Sequence, residues 1–100
     1  MFNHVVMWRF KDEADGRDKK ANLAKAKSKL QALPHKISEI KYYTVALNEL
    51  ESDRSYDMML FSSFDSKNDL DVYRVHPDHI EAAEFIRAVT SEAAVVDYQD

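Results

Sequence analysis

Along the opening stretch MFNHVVMWRFK, side chains alternate as they do on a β-strand. Phe2, His4, Val6, Trp8 and Phe10 fall on one side, and Asn3, Val5, Met7, Arg9 and Lys11 on the other. DEADGRD follows and reads as a turn around Gly16, the one glycine of the chain. In RDKKANLAKAKSKL the leucines and alanines at 23, 26, 30 and, beyond it, 33 form a helical stripe, with most of the lysines opposite. This predicts a helix to about Leu33, stopped by Pro34. ISEIKYYTVALNEL, from Ile37, is rich in β-branched and aromatic residues and predicts a second strand. ESDRS is a polar turn, and SYDMMLFSSF, ending at Phe64, predicts a third strand in an antiparallel hairpin with the second. Asp65 and Ser66 suit the N-cap of a short helix running to about Tyr73. Pro77 suits the first turn of a longer helix, and AAVVDYQD closes the chain as a fourth strand.

The element order β-α-β-β-α-β belongs to the α+β class. It is the ferredoxin-like arrangement, a four-stranded antiparallel sheet with both main helices on one face. Residues 1–100 read as one domain, without repeats, linkers or low-complexity segments. Two helices cover only one face of such a sheet, so an isolated protomer should be polar on the other. Here both rows are apolar: Val5 and Met7 oppose the Phe2–Phe10 row, Met59 and Phe61 oppose Tyr56, Met58, Leu60 and Phe64, and Ile40, Tyr42 and Ala46 oppose Tyr43, Val45 and Leu47. Val96 opposes Val95 in the last strand. A face of several hundred Å² is larger than soluble monomers usually leave bare. At about 25 cal/mol per Å², its burial supplies more than roughly 10 kcal/mol before association costs. The expected cover is a second copy packed sheet to sheet, a homodimer.

Composition narrows the function classes. Apolar residues are 45% of the chain and charged residues 32%, a globular balance, and there are no cysteines, which excludes disulfides and thiolate chemistry. The net charge of −4 opposes nucleic-acid binding, and the lysines of the first helix read as a solvated face. MFNHVVMWRF has no basic leader before an apolar segment, and no apolar run reaches bilayer-spanning length. The expected location is therefore cytoplasmic, with no membrane partner. Too few glycines exist for a phosphate loop or dinucleotide fingerprint, no G-x-S-x-G is present, and YDMMLFSSF lacks the aromatic ribonucleoprotein motif.

The chemistry concentrates in DVYRVHPDHIEAAEF. From His79, the residues Ala82, Ala83, Ile86 and Val89 follow at helical spacing, so His79 shares the apolar face that meets the sheet. His4 lies in the bulkier row of its strand, and Tyr73 ends the short helix before the bend at His76-Pro77. Two helix ends and a strand thus bring Tyr73, His79 and His4 together. One reading makes His79 a core histidine bonded to a carbonyl or a tyrosine hydroxyl. The other makes neutral His79 a base toward a carbon flanked by carbonyls, with Tyr73 donating to the developing enolate. The residues leave both open. His76 reads as the organiser of the bend and His35 as a surface turn residue. The spacing of His76 and His79 is a weak basis for a metal site, and no metal or other cofactor is expected.

With HVVMWRFKDEA at the start, LPHKI after the first helix, FDSKNDLDVYRVHPDHIEAAEFI and the closing VVDY, the chain resembles the stress-responsive A/B barrel domain (Dabb) family along its whole length. The resemblance implies a ferredoxin-like protomer whose sheet pairs with another to form a dimeric α/β barrel. A plant branch includes a polyketide cyclase working by an intramolecular aldol reaction in a pocket between sheet and helices. Its functional positions correspond to Tyr73 and His79, with His4 nearby. The pocket so implied is lined by His4, Val6, Trp8, Leu60 and Ile86 and would take a small apolar or carbonyl ligand. Where that branch has aromatic side chains in the first helix, this chain offers Leu23 and Ala26, and its last strand begins with the small Ala93 and Ala94. The reading adopted is a homodimeric barrel domain with a small apolar pocket; the alternative is a cofactor-free, cyclase-like enzyme using His79 and Tyr73.

Overall fold

In the computed structural model, which describes residues 1–100, the alternation of the first segment becomes strand β1 (Phe2–Phe10). Asp15 and Gly16 adopt positive φ, 56° and 77°, so the D-G pair turns a small hairpin of β2 (Glu13–Ala14) and β3 (Arg17–Asp18) where a plain turn was expected. Helix α1 (Lys19–Gln31) follows, its N-cap Asp18 accepting from the Ala21 amide at 2.9 Å. It ends slightly earlier than the stripe implied, because Leu33–His35 tighten into a 3₁₀ turn around Pro34.

Two boundaries are corrected. The second strand does not begin at Ile37. The Ile37 amide bonds the Leu33 carbonyl (2.9 Å) and the Ile40 amide bonds the Ile37 carbonyl (3.3 Å), which keeps this backbone in successive turns. Strand β4 is Tyr42–Leu47, while Ile37 is buried and Ile40 packs against the core, not on the outer sheet face. Tyr56 precedes strand β5 (Met58–Phe64) and does not share the row of Met58. Its ring lies under the Arg9 guanidinium (4.4 Å), and its hydroxyl donates to Glu92 at 2.7 Å.

Helix α2 (Lys67–Val75) starts at N-cap Ser66, and α3 (Pro77–Val89) follows after the extended His76 (φ −65°, ψ 133°). Strand β6 (Thr90–Gln99) begins earlier than Ala93. Thr90 is extended and its hydroxyl donates to the Ile86 carbonyl at 2.8 Å, so the chain passes from helix to strand without a loop.

The sheet order is β4-β5-β1-β6, with every neighbouring pair antiparallel. This is the ferredoxin-like arrangement. One face carries the core: Val6, Phe10, Val45, Met58, Leu60 and Phe64 lie against Ala26 and Leu30 of α1 and Ala82, Ile86 and Val89 of α3. No helix covers the opposite row. No helix is long and apolar enough to cross a membrane.

Candidate functional site

Three elements converge at one end of the covered face. His4 sits on β1 opposite Asp97 of β6 and Ser62 of β5. Tyr73 is in the last turn of α2, and His79 is in the first turn of α3. Pro77 and the His76 side chain, which accepts from the Asp78 amide, fix the bend between them. The rings of Tyr73 and His79 are 4.3 Å apart between centroids, and those of His4 and Tyr73 are 6.5 Å apart. Tyr73 is fully buried, His4 nearly so and His79 half-buried.

All three line a cavity of about 380 Å³ between sheet and helices. Val6, Trp8, Leu60 and Ile86 line it too, so each side chain assigned to the pocket from the sequence borders this one space. Its contribution from α1 is Leu30, in place of the expected Leu23 and Ala26. Ala93 borders it from β6, and the small side chain leaves that flank wide. The volume falls within the roughly 300–1,000 Å³ of small-molecule sites.

Hydrogen bonds assign the protons. His79 Nδ1 lies 3.1 Å from the Arg74 carbonyl, which can only accept, so Nδ1 carries the hydrogen and Nε2 is the basic nitrogen of the neutral ring. Burial pushes the His79 pKa below its ordinary value, further lowered by the charges of His4, Arg74 and His76 and partly offset by the Arg74 carbonyl. Tyr73 and Tyr43 share a 2.7 Å hydroxyl contact. Burial pushes Tyr73 up to about 12, although the contact with Tyr43 by itself favours the Tyr73 anion. Tyr43 is raised further, again chiefly by burial. With Tyr43 as donor, the Tyr73 proton is available to a ligand oxygen, and negative charge reaching that oxygen is met by the Tyr43 hydroxyl.

Three contributors escaped the sequence reading: Tyr43, Arg74 and Asp97. Asp97 Oδ1 accepts from His4 Nδ1 at 2.5 Å, while its Oδ2 accepts from Arg74 Nη2 at 3.0 Å. The signal for Asp97 was its parity with Val95 in VVDY, which places a carboxylate in the row of β6 that borders the cavity; Tyr43 shares the parity of Val45 in the same way. Arg74 follows Tyr73 directly and had no periodic signal. His76 and His79 each have Nδ1 engaged by a backbone group, and no group of three or more ligating side chains gathers anywhere in the chain.

The model of the stress responsive A/B barrel domain family matches residues 2–100. The chain belongs to that family. Among curated proteins, it is 26% identical over 99 residues to a stress-response A/B barrel domain-containing protein of Arabidopsis thaliana. That match covers 98% of this chain but only 36% of the relative's length. Among solved structures, a dimeric ferredoxin-like protein of unknown function from Bacteroides fragilis superposes with a TM-score of 0.86 at 29% identity, covering 99% of this chain and 95% of that one. A hydroxynitrile lyase from Passiflora edulis superposes with a TM-score of 0.77 at 20% identity, covering 97% and 90%, a likeness of fold alone. This ferredoxin-like protomer fold thus occurs both in a protein of unknown function and in an enzyme.

Proposed function

We propose that this Dabb chain is a homodimeric barrel domain that binds a small, largely apolar molecule in the cavity between its sheet and helices. The observation carrying the reading is the cavity itself. Apolar walls from Val6, Trp8, Leu60 and Ile86 converge on the polar Tyr73, His79 and His4, the composition typical of ligand pockets. Homodimerisation is supported by the uncovered apolar row of the sheet and by the dimeric relative from Bacteroides fragilis. Titrating His79 by NMR with and without β-diketone probes tests the pocket. A ligand against Tyr73 moves the His79 resonances and its titration midpoint; saturating probe that leaves both unmoved removes the reading. Sedimentation giving a folded single chain at micromolar concentration would remove the dimer.

A second reading, a cofactor-free enolisation or aldol enzyme, is favoured by one specific observation. His79 is neutral, with Nδ1–H fixed on a backbone carbonyl, so Nε2 is a base on a ring packed against that of Tyr73. In this reading Nε2 takes a proton from carbon, the electron pair moves to the carbonyl oxygen, and Tyr73 donates a hydrogen bond to that oxygen. His79→Ala and Tyr73→Phe would then abolish carbonyl-substrate turnover. If both variants retain full turnover and only lose thermal stability, the site is a binding pocket.

A further inference from the structure

The cavity has a second polar end that neither reading uses. Helix α3 and strand β1 run along it side by side: α3 starts by His79, and the Val89 carbonyl at its far end accepts from the Lys11 amide just past β1. His79 and Arg87 both border the cavity and are eight residues apart, about 12 Å at the helical rise of 1.5 Å per residue. His4 and Trp8 bracket a similar length on β1, about 13 Å. The space is therefore elongated, with Tyr73, His79 and His4 at one end, Arg87 and Trp8 at the other, and Val6, Leu60 and Ile86 between.

The charges of this lining are uneven. No acidic side chain borders the cavity. Of its two arginines, Arg74 is neutralised by Asp97, whereas Arg87 makes no ion pair. A guanidinium without a partner at the mouth of an apolar groove presents planar donors of the geometry a carboxylate fits.

We propose that Arg87 anchors the carboxylate of an amphipathic monocarboxylic acid whose apolar chain lies along Val6, Leu60 and Ile86 toward Tyr73. This deepens, and rests on, the small-molecule reading of the cavity. Neutral molecules of the same shape still enter, but more weakly. Trp8 borders the groove near the Arg87 end and is the only tryptophan, so its fluorescence reports occupancy directly.

The test compares octanoate with octanol, with Trp8 emission and calorimetry as readouts. Arg87 is exposed to solvent, so octanoate should bind up to about fivefold tighter, the scale of an ion pair at an exposed side chain. Arg87→Gln should bring octanoate down to the octanol level while octanol is unchanged, and Arg87→Lys should recover part of the difference. Equal affinity of the two probes for the native protein, or an Arg87→Gln variant that weakens both alike, overturns the carboxylate anchor and leaves the pocket standing. Failure of both probes to bind overturns the pocket together with the anchor.

Discussion

On the helix side of β1 Val6 is 5% exposed, whereas on the other side Met7 is 37% exposed and Val96, paired with Val5, is 61% exposed. The residue types barely differ between these rows. What differs is the cover. α1 and α3 stem from connections that cross the same face, so one row receives a core and the other is left without a helix over it. If the protomer pairs as proposed, similar hydrophobicity serves two tasks, folding the protomer and joining it to a second copy, and substitutions should separate them.

The sharpest separation comes from Phe64. It is fully buried and packs on Tyr73 with ring centroids 5.2 Å apart, so Phe64→Ala should cost about 3–5 kcal/mol through lost burial and a cavity. Chemical denaturation should show this with an unchanged slope. On the bare face, Val96→Asp should do the reverse. In a dimer it buries an unpaired carboxylate, at about 3 kcal/mol or more, which is at least roughly a hundredfold in Kd. In the protomer its side chain stays in water, and the change should remain within about 0.5 kcal/mol. Sedimentation and denaturation together read both numbers. A variant that unfolds without first dissociating would mean that the two faces do not work independently.

How much of this was legible follows from the same two rows. Alternation along β1 and β5 and the helical stripe of α3 are set by burial on one side, so period and side could be read directly from Val6, Leu60 and Ile86. The stretch from Ile37 to Ile40 misled because β-branched residues also serve as plugs in turns, and local amide-to-carbonyl bonds there win over the sheet until the Lys41 amide bonds Ser63 of β5. For the site, His4, Tyr73 and His79 each lay on a periodic element and could be placed. Asp97 shared the parity of Val95, but its partnership with Arg74 could not be read, because it depends on the register of β6 against β1 and on where α2 crosses it, and neither is encoded in a local period.

A third test contrasts the covered face with itself. Tyr73→Phe keeps the ring but leaves the Tyr43 hydroxyl without its partner, at about 1–3 kcal/mol, the cost of orphaning a desolvated polar group. Tyr43→Phe in the Tyr73→Phe background should then restore part of the loss, since no orphan remains. A double variant whose loss equals the sum of the two single losses would show that these hydroxyls do not depend on each other.

The smallest effect should come from protonation of His79. Folding lowers its pKa, chiefly through burial, so the unfolded chain takes up the proton first as pH falls below about 6.5, its ordinary value. The stability contributed by keeping the ring neutral is therefore complete above that pH and is lost progressively as pH falls through the folded-state pKa. His79→Gln, which keeps a side chain able to donate to the Arg74 carbonyl but does not titrate, should flatten the stability profile between neutral pH and the onset of carboxylate protonation. The groups around the ring sharpen the expectation. His4, Arg74 and His76 all lower the His79 pKa, so Asp97→Asn, which strips Arg74 and His4 of their shared counter-charge, should depress His79 further. NMR titration of His79 in that variant should place its midpoint below the native one; a midpoint that stays where it was would mean that the charge of Arg74 does not reach the ring.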